Sequence, residues 1–297
     1  MEEHKKKLAT FHDKHYKILL LIPVALLLFS FVYMGVFYSK HQDFIRKDVS
    51  LTGGTSATIY GEVNTDDLNE KLSEKLEDIN VRKIYDLVTR EQKAVIIETK
   101  TDGVQTKEIL ENYLGYKLNE KNSSFEFSGS NLSESFYKQL LMAIFFAFVF
   151  MSLVVFIIFR TFVPSSAVII SAFADILMTL VVVNLMGVKV SSAGIVAFLM
   201  LIGYSVDTDI LLTTRVLKRQ EGSLNKKIFE AFKTGLTMTL TALVSVVIAL
   251  IIVKPLSGVL TQIFMILAIG LVFDIFNTWV TNVSILKWYV KHKEGSS

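Results

Sequence analysis

Residues 140–159 read LLMAIFFAFVFMSLVVFIIF, with no charged side chain among the twenty. A helix rises about 1.5 Å per residue, so this run spans about 30 Å, the thickness of a bilayer's hydrocarbon core. Five further segments meet the same criterion: Ile18 to Phe37, Ser165 to Met186, Val190 to Leu212, Thr234 to Val253 and Ser257 to Leu286. The last is long enough to tilt or to extend past the bilayer. The first is read as a span, not a cleaved signal peptide, because its apolar run is too long and lacks a small-residue cleavage site. The composition agrees: 52% of the 297 residues are hydrophobic and 20% charged, against about 25% charged in soluble proteins. A soluble enzyme and a disordered chain are both disfavoured. The chain has no cysteine, which excludes disulfides, thiolate metal sites, iron–sulfur clusters and a cysteine nucleophile.

Basic residues set the expected orientation. The N-terminal tail (Lys5, Lys6, Lys7, Lys14, Lys17), Arg160, the loop with Arg215, Lys218, Arg219, Lys226, Lys227 and Lys233, and the C-terminal Lys287, Lys291 and Lys293 all fall on one side. Only Lys189 and Lys254 lie in the short loops of the other side. The positive-inside rule then places both termini in the cytoplasm. The basic tail is read as topology rather than as a nucleic-acid site. The expected organisation is a cytoplasmic tail over 1–17, a first span over 18–38, an extracytoplasmic domain over 39–137, five spans over 138–286 and a cytoplasmic tail over 287–297.

The insert reads as a small α+β unit. Thr55 to Tyr60 is β-rich and follows Gly53-Gly54, where a tight turn or close backbone packing is expected. Thr65-Asp66 offers an N-cap to a helix presenting Leu68, Leu72, Leu76 and Ile79 on one face. Val81 to Val88 and Lys93 to Thr99 read as strands joined by a short turn. Gln105 to Leu114 reads as a second helix ending at Gly115, with Ile109, Leu110, Tyr113 and Leu114 facing inward. Ser124 to Phe127 is the last strand. The order is βαββαβ, the ferredoxin-like pattern, which hosts many functions and specifies none.

Polar residues within the spans carry the functional information. Charged groups at bilayer depth are rare and face a bundle interior or a water path. Asp175 lies near the middle of the third span, Asp207 and Asp209 in the cytoplasmic half of the fourth, and Asp274 near the middle of the sixth. No histidine, lysine or arginine shares their depth, which excludes a histidine relay or a histidine-rich metal site. Buried carboxyls can take up and release protons, so a titratable pathway is the favoured reading for Asp175 and Asp274. For Asp209 and Arg215, near the interface, helix anchoring is at least as good an account. Ser191-Ser192-Ala193-Gly194, Gly203-Tyr204-Ser205, the threonines Thr234, Thr237, Thr239 and Thr241, and the stripe Asn277, Thr278 and Asn282 suit close helix packing and interhelical hydrogen bonds.

Three motifs then resemble those of SecF, the smaller membrane subunit of the SecD–SecF protein-export complex, in its archaeal form. Leu51-Thr52-Gly53-Gly54-Thr55 resembles the family's FTGGT motif. Ala174-Asp175 resembles its His-Asp pair, keeping the acid. Gly203-Tyr204-Ser205-Val206-Asp207, continuing to Arg215, resembles its GYS…D…R signature. Asp207-Thr208-Asp209 stands where the bacterial family has Asn-Asp-Thr, so the acid falls one position earlier, as in SecD. Lys233 takes the place of a family arginine early in the fifth span, and it lacks the guanidinium's geometry.

The resemblance implies a six-helix half of an RND-like bundle in the cytoplasmic membrane. It also implies a non-enzymatic, accessory role in Sec-dependent export, coupled to the proton gradient, with no cofactor or metal. Its implied partners are a SecD-type subunit in a heterodimer, the Sec translocon channel, translocating unfolded polypeptides and membrane lipid, with no nucleic acid. The implied proton-pathway residues are Asp175, Asp207, Lys233 and Asp274, with Asp207 approaching Lys233 if the fourth and fifth spans pack together. Two other functions fit the residues: an intramembrane aspartyl protease with Asp207 and Asp274 as its dyad, and a structural adaptor without ion coupling.

Overall fold

The computed structural model describes residues 2–65, 68–86, 89–218 and 222–294. The chain opens with α1 (Glu2–His41), apolar from Ile18 onward. The stretch expected as a separate tail is helical too, continuous with the first span. A single turn, α2 (Val49–Thr52), leads into β1 (Gly54–Tyr60), α3 (Leu68–Leu72), β2 (Asn80–Tyr85), β3 (Gln92–Thr99), α4 (Gly103–Leu114) and β4 (Ser123–Ser128). The long helices α5 (Ser130–Phe159), α6 (Phe162–Leu185), α7 (Ser192–Lys218), α8 (Leu224–Val253) and α9 (Gly258–Phe276) follow. The last runs through a π-helical stretch, Asn277–Asn282, into α10 (Val283–Glu294). Among the described residues, six helical stretches are long and apolar enough to cross a membrane.

The sheet has the order β2-β3-β1-β4, every neighbouring pair antiparallel. That is the strand arrangement of a ferredoxin-like unit. Ala57 and Ile59 of β1 and Val95 and Ile97 of β3 point to one face, because side chains alternate along a strand. The two helices cover that face with Leu68, Leu72 and Leu110. The first helix is shorter than its leucine pattern suggests. It ends at Leu72, and turns carry Leu76 into the same core. Asp66 of the expected cap, and Leu87 and Val88 of the expected strand, lie outside the described residues. The second helix begins two residues earlier than its apolar pattern indicates. Asp102 caps it by accepting from the Val104 and Gln105 amides, and Gly115 ends it in the left-handed conformation.

Gly53 and Gly54 form the joint between this unit and the bundle. Gly53 has φ +83°, and a Cβ there would lie 2.5 Å from the Ser130 Cα at the start of α5. Gly54 has φ +140°, and its Cβ would lie 2.3 Å from the Thr99 carbonyl oxygen. Backbone meets backbone at both positions, so only glycine fits.

The segment after α1 also pairs with the segment before α7. Val190 donates its amide to the Arg46 carbonyl at 2.6 Å, and Asp48 donates to the Val190 carbonyl at 3.1 Å. The Asn184 side chain donates to the Phe44 carbonyl. The Ser192 amide donates to the Ser50 hydroxyl, which itself donates to Asp48 at 2.6 Å. On the opposite edge of the sheet, the Tyr85 amide donates to the Pro255 carbonyl in the α8–α9 loop.

Asp48 gives this joint a pH dependence. Burial pushes its carboxyl up to about 6, with the nearby Glu98 adding to the effect and the Ser50 hydrogen bonds and Arg82 opposing it. The folded state therefore binds the proton more tightly than the unfolded chain, and stability falls as pH rises from about 3.8 to about 6. Asparagine keeps the capping oxygen without the charge. Asp48→Asn is expected to unfold at higher temperature than wild type at about pH 8, by about 1–2 kcal/mol, and to lose the advantage near pH 4. Thermal unfolding at the two pH values checks it. A constant difference between the chains would reject the assignment.

Within the bundle, α6 and α7 are the most enclosed spans. Small residues let their neighbours approach closely. A Cβ on Gly270 of α9 would lie 2.5 Å from Leu201 of α7, and one on Gly235 of α8 would lie 2.6 Å from the Trp279 ring. Gln262 of α9 accepts from the Ser191 amide and hydroxyl and donates to the Lys189 carbonyl, closing the amino end of α7.

Candidate functional site

Three carboxyl groups from three helices meet in the bundle interior: Asp175 of α6, Asp209 of α7 and Asp274 of α9, all fully buried. Among the described residues no ion pair reaches any of them. Neutral donors surround them instead. Asp175 accepts from Ser205 through one oxygen and from the Asn277 amide, at 2.7 Å, through the other. Asp209 accepts through a single oxygen from Thr278 at 2.9 Å and from Asn282 at 2.7 Å. Its second oxygen is buried without a partner. Asp274 accepts from Thr239 at 3.3 Å and from Thr278 at 3.2 Å.

The Thr278 hydroxyl therefore stands between Asp209 and Asp274. It has one hydrogen and faces two carboxyl oxygens. With both acids ionised, the single hydroxyl hydrogen is shared between them; both contacts become full two-centre hydrogen bonds when one of the acids carries a proton and donates it to the Thr278 oxygen. Moving that proton to the other acid reverses the direction of both bonds with little movement of heavy atoms. Asn277, next to Thr278 in the chain, accepts from the Thr281 hydroxyl at 3.2 Å and donates to Asp175.

The π-helical stretch makes the arrangement possible. The Val283 amide bonds back to the Thr278 carbonyl, five residues earlier, which widens the turn. Asn277 then reaches α6, while Thr278 and Asn282 both reach α7. The apolar pattern of this span carries no signal for the bulge. The polar stripe Asn277, Thr278 and Asn282 was the legible trace of it.

The remaining acid is placed differently. Asp207 is exposed on α7, as are Val196, Met200, Gly203 and Tyr204, spaced so as to lie along one stripe of that helix. Among the described residues it forms no ion pair with Lys233, which is itself exposed on α8. The expected approach of the two is absent because they sit on outward faces of their helices. For the same reason Asp207 and Asp274 do not form the dyad that a protease would use. Asp209, two residues on, is the acid of α7 that faces inward. Arg215 donates to the Glu230 carbonyl at 2.8 Å and ties the end of α7 to the start of α8.

Comparison with known proteins decides the family. The family model described as protein export membrane protein SecD/SecF, C-terminal, matches residues 107–292. The chain is 40% identical over 284 residues to the protein-export membrane protein SecF of Methanocaldococcus jannaschii, covering 93% of this chain and 96% of that one. The chain belongs to the SecD/SecF protein-export family. A second SecF, from Methanothermobacter thermautotrophicus, is 38% identical with 94% of both chains covered. The SecF of Pyrococcus furiosus is 31% identical, with 98% of this chain and 97% of that one covered. Among solved structures, the translocon-associated SecDF of Thermus thermophilus superposes with a TM-score of 0.71 at 18% identity, over 93% of this chain and 38% of the longer one. That likeness establishes the SecDF fold for this SecF-family membrane protein.

Proposed function

We propose that the chain is the SecF-type half of a SecD–SecF complex that assists Sec-dependent translocation across the cytoplasmic membrane, drawing on the proton gradient through Asp175, Asp209 and Asp274. The observation that carries the reading is the Thr278 hydroxyl within hydrogen-bond distance of both Asp209 and Asp274, two buried acids with no cation beside them. Neutral hydrogen bonds alone would serve an adaptor, but an adaptor gains nothing from three buried acids that lack cations.

Asp207 belongs to the seam with the partner in this reading. A carboxylate on the outer face of a membrane helix is costly against lipid. A SecD-type half laid along Val196, Met200, Gly203 and Tyr204 would cover it. Lys233 lies at the cytoplasmic rim, where its stem can run along the helix and its ammonium reach water. The translocon channel and the unfolded polypeptide in transit are partners of the assembled complex.

The sheet unit then lies outside the membrane and both termini inside. The absence of native cysteine makes single-cysteine labelling a clean check. A cysteine at position 119 should react with an impermeant reagent from outside intact cells, and one at position 225 only after permeabilisation. The reverse pattern would invert the topology. The functional test is gradient-dependent export by the complex carrying Asp274→Asn.

A further inference from the structure

Two cavities lie where the sheet unit meets the bundle, and they differ in charge. One, of about 530 Å³, has Asp48, Glu98 and Glu126 in its walls and no basic residue. The other, of about 830 Å³, has Arg82, Lys83, Lys189 and Lys254 in its walls and no acidic residue. This second cavity is enclosed by β2 and by the α6–α7 and α8–α9 loops, at the end of the spans nearest the sheet. Its apolar lining includes Ile84, Ile96, Val188, Ile251 and Met265.

We propose that this basic cavity binds the headgroup of an anionic phospholipid. Part of the positive charge is already matched: Lys189 pairs with Asp78, and Arg82 with Glu98. Two donors remain. The Arg82 side chain, though paired with Glu98, is still 32% exposed, and it lines the cavity. Lys254 is exposed and forms no ion pair among the described residues. Arg82 also lies against Gly258, at the amino end of α9, where the helix dipole adds positive potential.

Below the cations, the outer face of α8 is apolar and exposed at Val244, Ile248 and Ile251, the last 68% exposed. A phosphate at Arg82 and Lys254 would thus sit above a surface suited to acyl chains. Cations at the edge of an apolar helix face match both ends of an anionic phospholipid, its phosphate and its acyl chains. The lipid would also bridge the sheet unit and the bundle at the edge opposite the Gly53 joint.

The test uses the full chain, purified and delipidated in detergent, with dioleoyl phosphatidylglycerol or dioleoyl phosphatidylcholine added and bound lipid counted by native mass spectrometry. Wild type should retain phosphatidylglycerol preferentially. Lys254→Gln should weaken that retention about five-fold, and Arg82→Gln/Lys254→Gln on the order of twenty-fold, about five-fold per charge removed. Lys117→Gln/Lys121→Gln, an exposed pair at the far end of the sheet unit, should leave it unchanged. Equal retention of the two lipids, or equal loss in the two double variants, would overturn the proposal. Millimolar inorganic phosphate should fail to displace the lipid. Displacement would make the cavity a site for free anions and would equally overturn it.

Discussion

Asp274→Asn is expected to leave the chain inserted and assembled with its partner while removing the gradient-dependent part of export. The fold should tolerate the change because both groups that bond Asp274 are hydroxyls, on Thr239 and Thr278. A hydroxyl can donate to the amide oxygen or rotate to accept from the amide nitrogen, so no buried group is stranded. What asparagine cannot do is release a proton. The expected loss is at least ten-fold in stimulation, back to the level seen without a gradient. Asp175→Asn is a less clean version, since Asn277 already presents an amide donor to that carboxyl. Asp274→Leu should be worse in a different way. It takes the carboxyl partner from both hydroxyls, leaving Thr278 bonded to Asp209 alone and Thr239 to Thr208 alone, so the complex should lose some stability as well as coupling. Export assays with and without collapse of the gradient, alongside the yield of assembled complex, separate the two effects.

The second large effect is structural. Gly53→Ala puts a Cβ 2.5 Å from the Ser130 Cα, at a backbone conformation that side chains rarely adopt. Backbone strain of about 1–3 kcal/mol adds to the cost of a backbone displaced at a packed joint, for a total of about 3 kcal/mol or more. Gly61→Ala is the control. Gly61 has φ +101° and nothing within 4 Å of its would-be Cβ, so it bears the strain without the collision. Thermal unfolding should place Gly53→Ala well below Gly61→Ala, by about 4 °C or more. Equal midpoints would mean that the contact with α5 contributes nothing.

The sequence carries different amounts of information about the Gly53 joint and the buried acids. Gly53-Gly54 announced close backbone packing, and only the partner strand and helix had to be supplied by the fold. The six spans and the βαββαβ order were legible because long apolar runs and alternating patterns follow directly from helix and strand geometry. The end of α3 was not, since Leu68, Leu72 and Leu76 fit a helical stripe whether or not the chain turns after Leu72. Asp175 and Asp274 stood out by depth alone.

The division of labour between Asp207 and Asp209 could not be read the same way. Two residues apart on a helix, they point about 200° apart, and choosing the inward one requires knowing which face meets α9. The motif and the nearby lysine favoured Asp207. The π-helical widening that turns Thr278 and Asn282 toward Asp209 depends on packing that no local pattern encodes. Lys233 stands apart from the cluster because it lies on the exposed face of α8.

In the proposed function a mobile proton resides among Asp175, Asp209 and Asp274. Infrared difference spectroscopy of the purified complex, stepping pH through the neutral range, reads it directly through the carbonyl stretch of a protonated carboxyl. A band that appears and disappears with pH in wild type, is altered in Thr278→Val and is lost in Asp274→Asn is the predicted result. A spectrum without such a band, or one unchanged by Asp274→Asn, would contradict it.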